Sequence, residues 1–157
     1  MGSPTVLDHR EIAACIPHQG TMCLLDRVEA WDDGRIVCRA TSHRDAGNPL
    51  RAAGRLGAAN GIEYAAQAMA VHAALLAAGA SRPQAGYLTS VRGVHLHVDR
   101  LDELDHPLTI VAERQSGDAL SVLYSFTVSA AGRCLLEGRA TAVLDAATLA
   151  PAAGPAA

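Results

Sequence analysis

The chain has 157 residues, half of them hydrophobic, and a formal charge of −3. That length fits one domain with a substantial core. The acidic balance, with no basic patch interleaved with aromatics, excludes a nucleic-acid partner.

One Trp, three Tyr and one Phe leave the core to Ala, Leu and Val. The cysteines Cys15, Cys23, Cys38 and Cys134 show no C-x-x-C or Cys/His ligand spacing. They read as free thiols in a reducing compartment, which places the protein in the cytoplasm. Asp8, His9, Arg10 and Glu11 interrupt the first twenty residues, so no signal-peptide core forms there.

In chain order, Asp8 caps a short helix, REIAACI, which Pro17 ends. A turn follows at His18-Gln19-Gly20, and Met22 to Ala30 runs from an apolar stretch into extended chain. Asp32-Asp33-Gly34 signals a hairpin turn into RIVCRATS, a half-buried strand that alternates Ile36, Cys38 and Ala40 against Arg35, Val37 and Arg39. The stretch from His43 to Leu56 is polar and irregular, broken by Asn48-Pro49 and Gly54.

Gly57 to Ala80 reads as one long Ala-rich helix, ended by Gly79, Pro83 and Gly86. It is apolar on every side, which predicts burial on every side. Ala and Gly partition weakly into lipid, and the helix carries Glu63 and His72, so no membrane span is expected. Four strands follow, over Tyr87–Val98 with a bulge at Gly93, Pro107–Gln115, Leu120–Ala130 and Arg133–Leu144. A run of strands around one long helix predicts an α+β class. A curved antiparallel sheet of five to six strands is expected to wrap the helix, leaving a remainder that a second copy could cover. The single domain spans 1–146, and 147–157 form a flexible Ala/Pro-rich tail.

The lone carboxylate of the long helix, Glu63, is the foremost functional candidate. A charged group in apolar surroundings is costly unless it is paired, protonated or used.

Three features then carry a resemblance. IPHQGTMCLLDRV, from Ile16 to Val28, is similar to the opening "PHR-x-P-x-LL-x-DRV" stretch of the hotdog-fold 3-hydroxyacyl-[acyl-carrier-protein] dehydratases. GIEYAAQAMA, from Gly61, resembles their "ExxAQ" helix with its catalytic Glu. The order of elements extends the likeness over nearly the whole chain. HRDAGNPLR and VRGVHLHVDRL bring it closest to the dehydratase-like subunits of aryl-polyene and xanthomonadin pigment pathways.

The resemblance implies a hotdog fold, a homodimer or a pairing with a dehydratase homologue, and no cofactor. It implies dehydration of 3-hydroxyacyl groups on acyl carrier protein to trans-2-enoyl groups, in polyene or fatty-acid-like synthesis. That chemistry needs a base at C2, an acid at the C3 hydroxyl and donors for the thioester oxygen. Glu63 carries over as the acid. The family's His does not: counting back fourteen residues from Glu63 lands on Pro49 in NPLRAAGRLG, with Asn48 beside it.

Two histidines are candidates for the base. His43 is either a displaced base or a solvated loop residue. His18 is either a substitute base or a structural residue packing the first helix. Asn48 either donates toward substrate or is a plain turn residue. Gly57, Asn60 and Gly61 offer close approach and free N–H groups at the helix start. Gln67, one turn after Glu63, is expected to bond Glu63 or a partner loop. Without a functional role, Glu63 would favour the helix dipole or pair with Arg55.

His72 reads as a satisfied core residue. His95 and His97 share a strand face, but no Cys or carboxylate at ligand spacing joins them, so no metal site is expected. Arg44, Arg51 and Arg55 are candidates for docking an acidic carrier. Two further readings stay open, an impaired subunit that pairs with an active homologue and a hotdog thioesterase.

Overall fold

The computed structural model describes residues 6–77, 87–118 and 120–143. The proposed helix stop at Gly79, Pro83 and Gly86, and the tail from 147, lie outside these residues.

The elements are β1 (Leu7–Asp8), α1 (His9–Cys15), β2 (Arg27–Asp32), β3 (Arg35–Ala40), α2 (Gly61–Leu76), β4 (Tyr87–Leu96), β5 (Leu108–Gly117), β6 (Ser121–Ala130) and β7 (Arg133–Val143). Asp8 caps α1 as its sequence position predicts. The Asp8 carboxylate accepts from the Glu11 N–H at 2.9 Å, and Glu11 accepts from the Asp8 N–H at 3.1 Å.

All strands pair antiparallel in one sheet of order β1-β2-β3-β5-β6-β7-β4. The sheet has seven strands rather than five to six because the two residues of β1 pair with Val28 and Arg27 of β2. The alternation read from sequence holds where one face is buried. Ile36, Cys38 and Ala40 of β3, Leu108, Ile110 and Ala112 of β5, and Val122, Tyr124, Phe126 and Val128 of β6 all point into the core. Each large aliphatic among them contributes about 1.5–3 kcal/mol by leaving water.

The central helix α2 packs on β3, β5 and β6 through Tyr64, Ala65, Ala68, Met69 and Val71. Its small residues permit close approach to the sheet. At Gly61 an added Cβ would lie 2.5 Å from Leu136 Cδ2 of β7, so any larger residue there would displace the Leu136 side chain. The helix begins later than its apolar sequence suggests, because a 3-10 turn occupies Ala58–Asn60.

Nor is α2 covered on every side. Ile62, Glu63, Ala66, Ala70, Ala73 and Ala77 remain partly exposed along one stripe. No helix among the described residues is long and apolar enough to cross a membrane.

Candidate active site

Glu63 sits in the first turn of α2, and His18 in the turn after α1. Their side chains meet, with His18 Nε2 at 3.3 Å from Glu63 Oε1. Both are half-open to solvent, at 28% and 37% exposure. The other ring nitrogen, His18 Nδ1, is buried with no hydrogen-bond partner. Glu63 is therefore the polar partner of this ring among the described residues. A carboxyl group and an imidazole at this distance can reach one substrate as general acid and general base. The alternative partner for Glu63, Arg55, makes no ion pair among the described residues.

Gln67 holds this arrangement together. It is fully buried, with its Oε1 accepting from the Leu24 N–H at 2.9 Å and its Nε2 donating to the Met22 carbonyl at 2.7 Å. The expected bond to Glu63 or a partner loop is replaced by this one. An amide matches one backbone donor and one backbone acceptor, so Gln67 fastens the segment that follows His18 onto α2.

His43 does not face Glu63. It is fully buried, and its Nε2 lies 3.0 Å from the Leu104 carbonyl. Burial pushes its pKa below the ordinary histidine value, so it stays a neutral donor within the fold. The reading as a solvated loop residue fails for the same reason.

Asn48 is likewise committed inside the chain. Its Nδ2 donates to the Ser42 carbonyl at 2.9 Å and to Tyr64 Oη at 3.1 Å, while its Oδ1 accepts from the Leu50 N–H at 2.8 Å. Ser42 Oγ lies 2.8 Å from both the Leu24 carbonyl and Tyr64 Oη. The carbonyl only accepts, so the chain of donation runs from Asn48 to Tyr64 to Ser42 to Leu24. This chain ties the irregular stretch to α2 behind the His18–Glu63 contact.

At the start of α2 the close approach at Gly61 is used by Leu136. Asn60 donates its side chain to the Gly57 carbonyl at 3.1 Å, and Gly57 bridges to Arg100. Of the three arginines, Arg51 is held within its own loop by the carbonyls of His43, Asp45 and Gly54 and by Asp102. Arg44 pairs with Asp105 at 3.6 Å, and Arg55 is exposed. Arg100 holds the Asp102 carboxyl below the usual carboxylate range. No sequence signal marked the stretch from Asp102 to His106 that anchors His43 and Arg51.

His72 is a core residue as expected. Its Nε2 lies 2.6 Å from the Asp32 carbonyl and its Nδ1 2.6 Å from Tyr124 Oη.

A family model described as ApeP-like, ApeP dehydratase, matches residues 10–150. No curated protein sequence matches the chain. Among solved structures, the ApeI:P dehydratase heterocomplex from Xenorhabdus doucetiae superposes with a TM-score of 0.78 at 24% identity, over 87% of this chain and 92% of that one. A mutant thioesterase from Pseudomonas aeruginosa superposes with a TM-score of 0.62 at 15% identity, over 87% and 93%. AziG from S. sahachiroi gives 0.58 at 16%, over 76% and 90%. These likenesses establish the hotdog fold.

Proposed function

This chain belongs to the ApeP-like dehydratase family, and from that premise we propose that it dehydrates 3-hydroxyacyl groups carried on acyl carrier protein to trans-2-enoyl groups, in polyene-pigment or fatty-acid-like synthesis. The observation that carries the proposal is the 3.3 Å contact between His18 and Glu63.

In this reading His18 is the base that the missing histidine near Asn48 does not supply. Its Nε2 takes the C2 proton, and the electrons of that bond form the C2=C3 double bond. The C3–O bond breaks as Glu63 gives its proton to the hydroxyl, which leaves as water. The resulting imidazolium and carboxylate then return one proton to Glu63 across their contact. The partly exposed apolar stripe from Ile62 to Ala77 offers a wall for the acyl chain.

The chain is proposed to work beside a second hotdog subunit. Three observations support that pairing: the partly exposed stripe of α2, the exposed Leu88 and Leu96 on β4 at the end of the sheet order, and the heterocomplex formed by the similar structure. The partner is either a second copy or a dehydratase homologue.

Hydration of a crotonyl- or polyenoyl-loaded carrier, followed by loss of enoyl absorbance, tests the proposal. Wild type should equilibrate the double bond, and Glu63→Gln and His18→Ala should not. A Glu63→Gln enzyme running at the wild-type rate would sink the assignment. A wild type silent alone but active with a homologous dehydratase points to the partner-subunit role, and thiol release points to a thioesterase.

A further inference from the structure

His97, Cys134 and Glu137 come together on the outer face of the sheet, away from the core. His97 Nε2 lies 2.9 Å from Glu137 Oε2, and Cys134 Sγ lies 3.8 Å from the same oxygen. All three donor atoms fall within 4.8 Å of one another.

The register explains how residues distant in sequence meet. Ser129 pairs with Cys134 and Val128 with Leu136, so Leu135 is an extra, bulged residue in β7. Leu135 and Leu136 are consequently both buried. The bulge resets the alternation and turns Cys134 and Glu137 to the same outward face. On the neighbouring strand, an irregularity between Arg92 and His95 at Gly93 puts His95 opposite Glu137. The His97 N–H then bonds the Leu135 carbonyl at 2.8 Å, which brings its ring over the same spot.

Two roles compete for a thiol, an imidazole and a carboxylate in one cluster. A nucleophilic cysteine needs a cation beside it. Here the Glu137 oxygen contacts both the thiol and the imidazole, so the group touching the thiol is an anion. That arrangement opposes a reactive thiolate. A divalent cation reverses the sign, because it turns the carboxylate and thiolate into co-ligands and takes the neutral imidazole nitrogen as a third. Tetrahedral Zn–N, Zn–O and Zn–S bonds separate their donor atoms by about 3.4–3.6 Å. The N···O and S···O spacings of 2.9 and 3.8 Å lie within about half an ångström of that range, with all three donors within 4.8 Å of one another.

We propose that His97, Cys134 and Glu137 form a divalent transition-metal site that takes Zn²⁺, with a fourth position open to solvent beside His95. Nitrogen, sulfur and oxygen donors of this mixture suit Zn²⁺ rather than Mg²⁺ or Ca²⁺. Binding releases the thiol proton and fastens the end of β4 to β7, at the edge of the sheet.

Titrating the metal-free full chain with Co²⁺ tests the site. The wild type should develop a thiolate-to-cobalt charge-transfer band with tetrahedral d–d absorption, and Zn²⁺ should displace both. Cys134→Ser should abolish the charge-transfer band, Cys15→Ser should keep it, and His97→Ala should weaken binding at least about tenfold. Zn²⁺ should raise Tm for wild type and not for Cys134→Ser, while the metal-free Tm values of the two agree. A band that survives Cys134→Ser, or a wild type that develops none, overturns the proposal.

Discussion

His18 Nε2 lies 3.3 Å from Glu63 Oε1, joining the turn after α1 to the first turn of α2. Gln67, one helical turn beyond Glu63, holds the His18-bearing segment by the backbone of Met22 and Leu24. Glu63 and the residue that fastens the His18-bearing segment thus share one helix.

If the two act as a unit, their losses do not add. Glu63→Gln and His18→Asn should each lower kcat by about 10²–10⁴-fold, the typical worth of a positioned acid or base. The double variant should be no slower than the slower single one. Multiplicative losses in the hydration assay would show that the two side chains work independently.

Gln67→Met keeps the volume and removes both hydrogen bonds. It leaves the Leu24 N–H and the Met22 carbonyl without their partner. Stability should fall by roughly 1–3 kcal/mol, the cost of leaving the buried Leu24 N–H unsatisfied. The urea midpoint should drop accordingly, with kcat falling under conditions where the variant remains folded. A midpoint unchanged within error refutes the fastening role.

Acid should destabilise the fold through two buried histidines. Burial holds His43 and His72 below their ordinary value of 6.5. The unfolded chain therefore binds more protons than the folded one as pH falls. Stability is full above pH 6.5 and declines below it through the lowered folded values. Each histidine contributes a slope of at most about 1.4 kcal/mol per pH unit. Asp102, held low by Arg100, adds its own loss only as pH falls below its ordinary 3.8. Urea midpoints at neutral and mildly acid pH measure the slope, and His72→Gln should flatten it. An unchanged slope in that variant would remove His72 from the account.

Ala131 adopts φ +51° and Gly132 φ +78° in the turn between β6 and β7. Two left-handed residues make a type I′ hairpin, in which Asn-Gly is the favoured pair. Ala131→Asn should stabilise by about 0.5–1 kcal/mol, since alanine gains nothing locally in that conformation. For a chain of this size that is a Tm rise of roughly 1–4 °C. A lower Tm would contradict the turn assignment.

The elements were legible because local signals set them. Asp8 and Glu11 cap α1, Gly93 marks an irregularity in β4, and β3, β5 and β6 alternate as period-two patterns require. The exposed stripe of α2 was not legible, because Ala and Ile look the same on a covered and an uncovered side. The partners of His43, Asn48 and Gln67 were hidden as well. His43 and Gln67 bind backbone groups of other segments and Asn48 those of its own loop, and backbone groups leave no mark in a sequence.

The sequence by itself determined the class of fold, the family resemblance and the single carboxylate of the central helix. Only the tertiary structure decided what stands opposite that carboxylate. It set His18 there, drew His43 into the core, and brought His97 beside Cys134 and Glu137. The physical reason is that secondary structure follows from near neighbours, whereas these contacts depend on strand register, a bulge and the path of a loop.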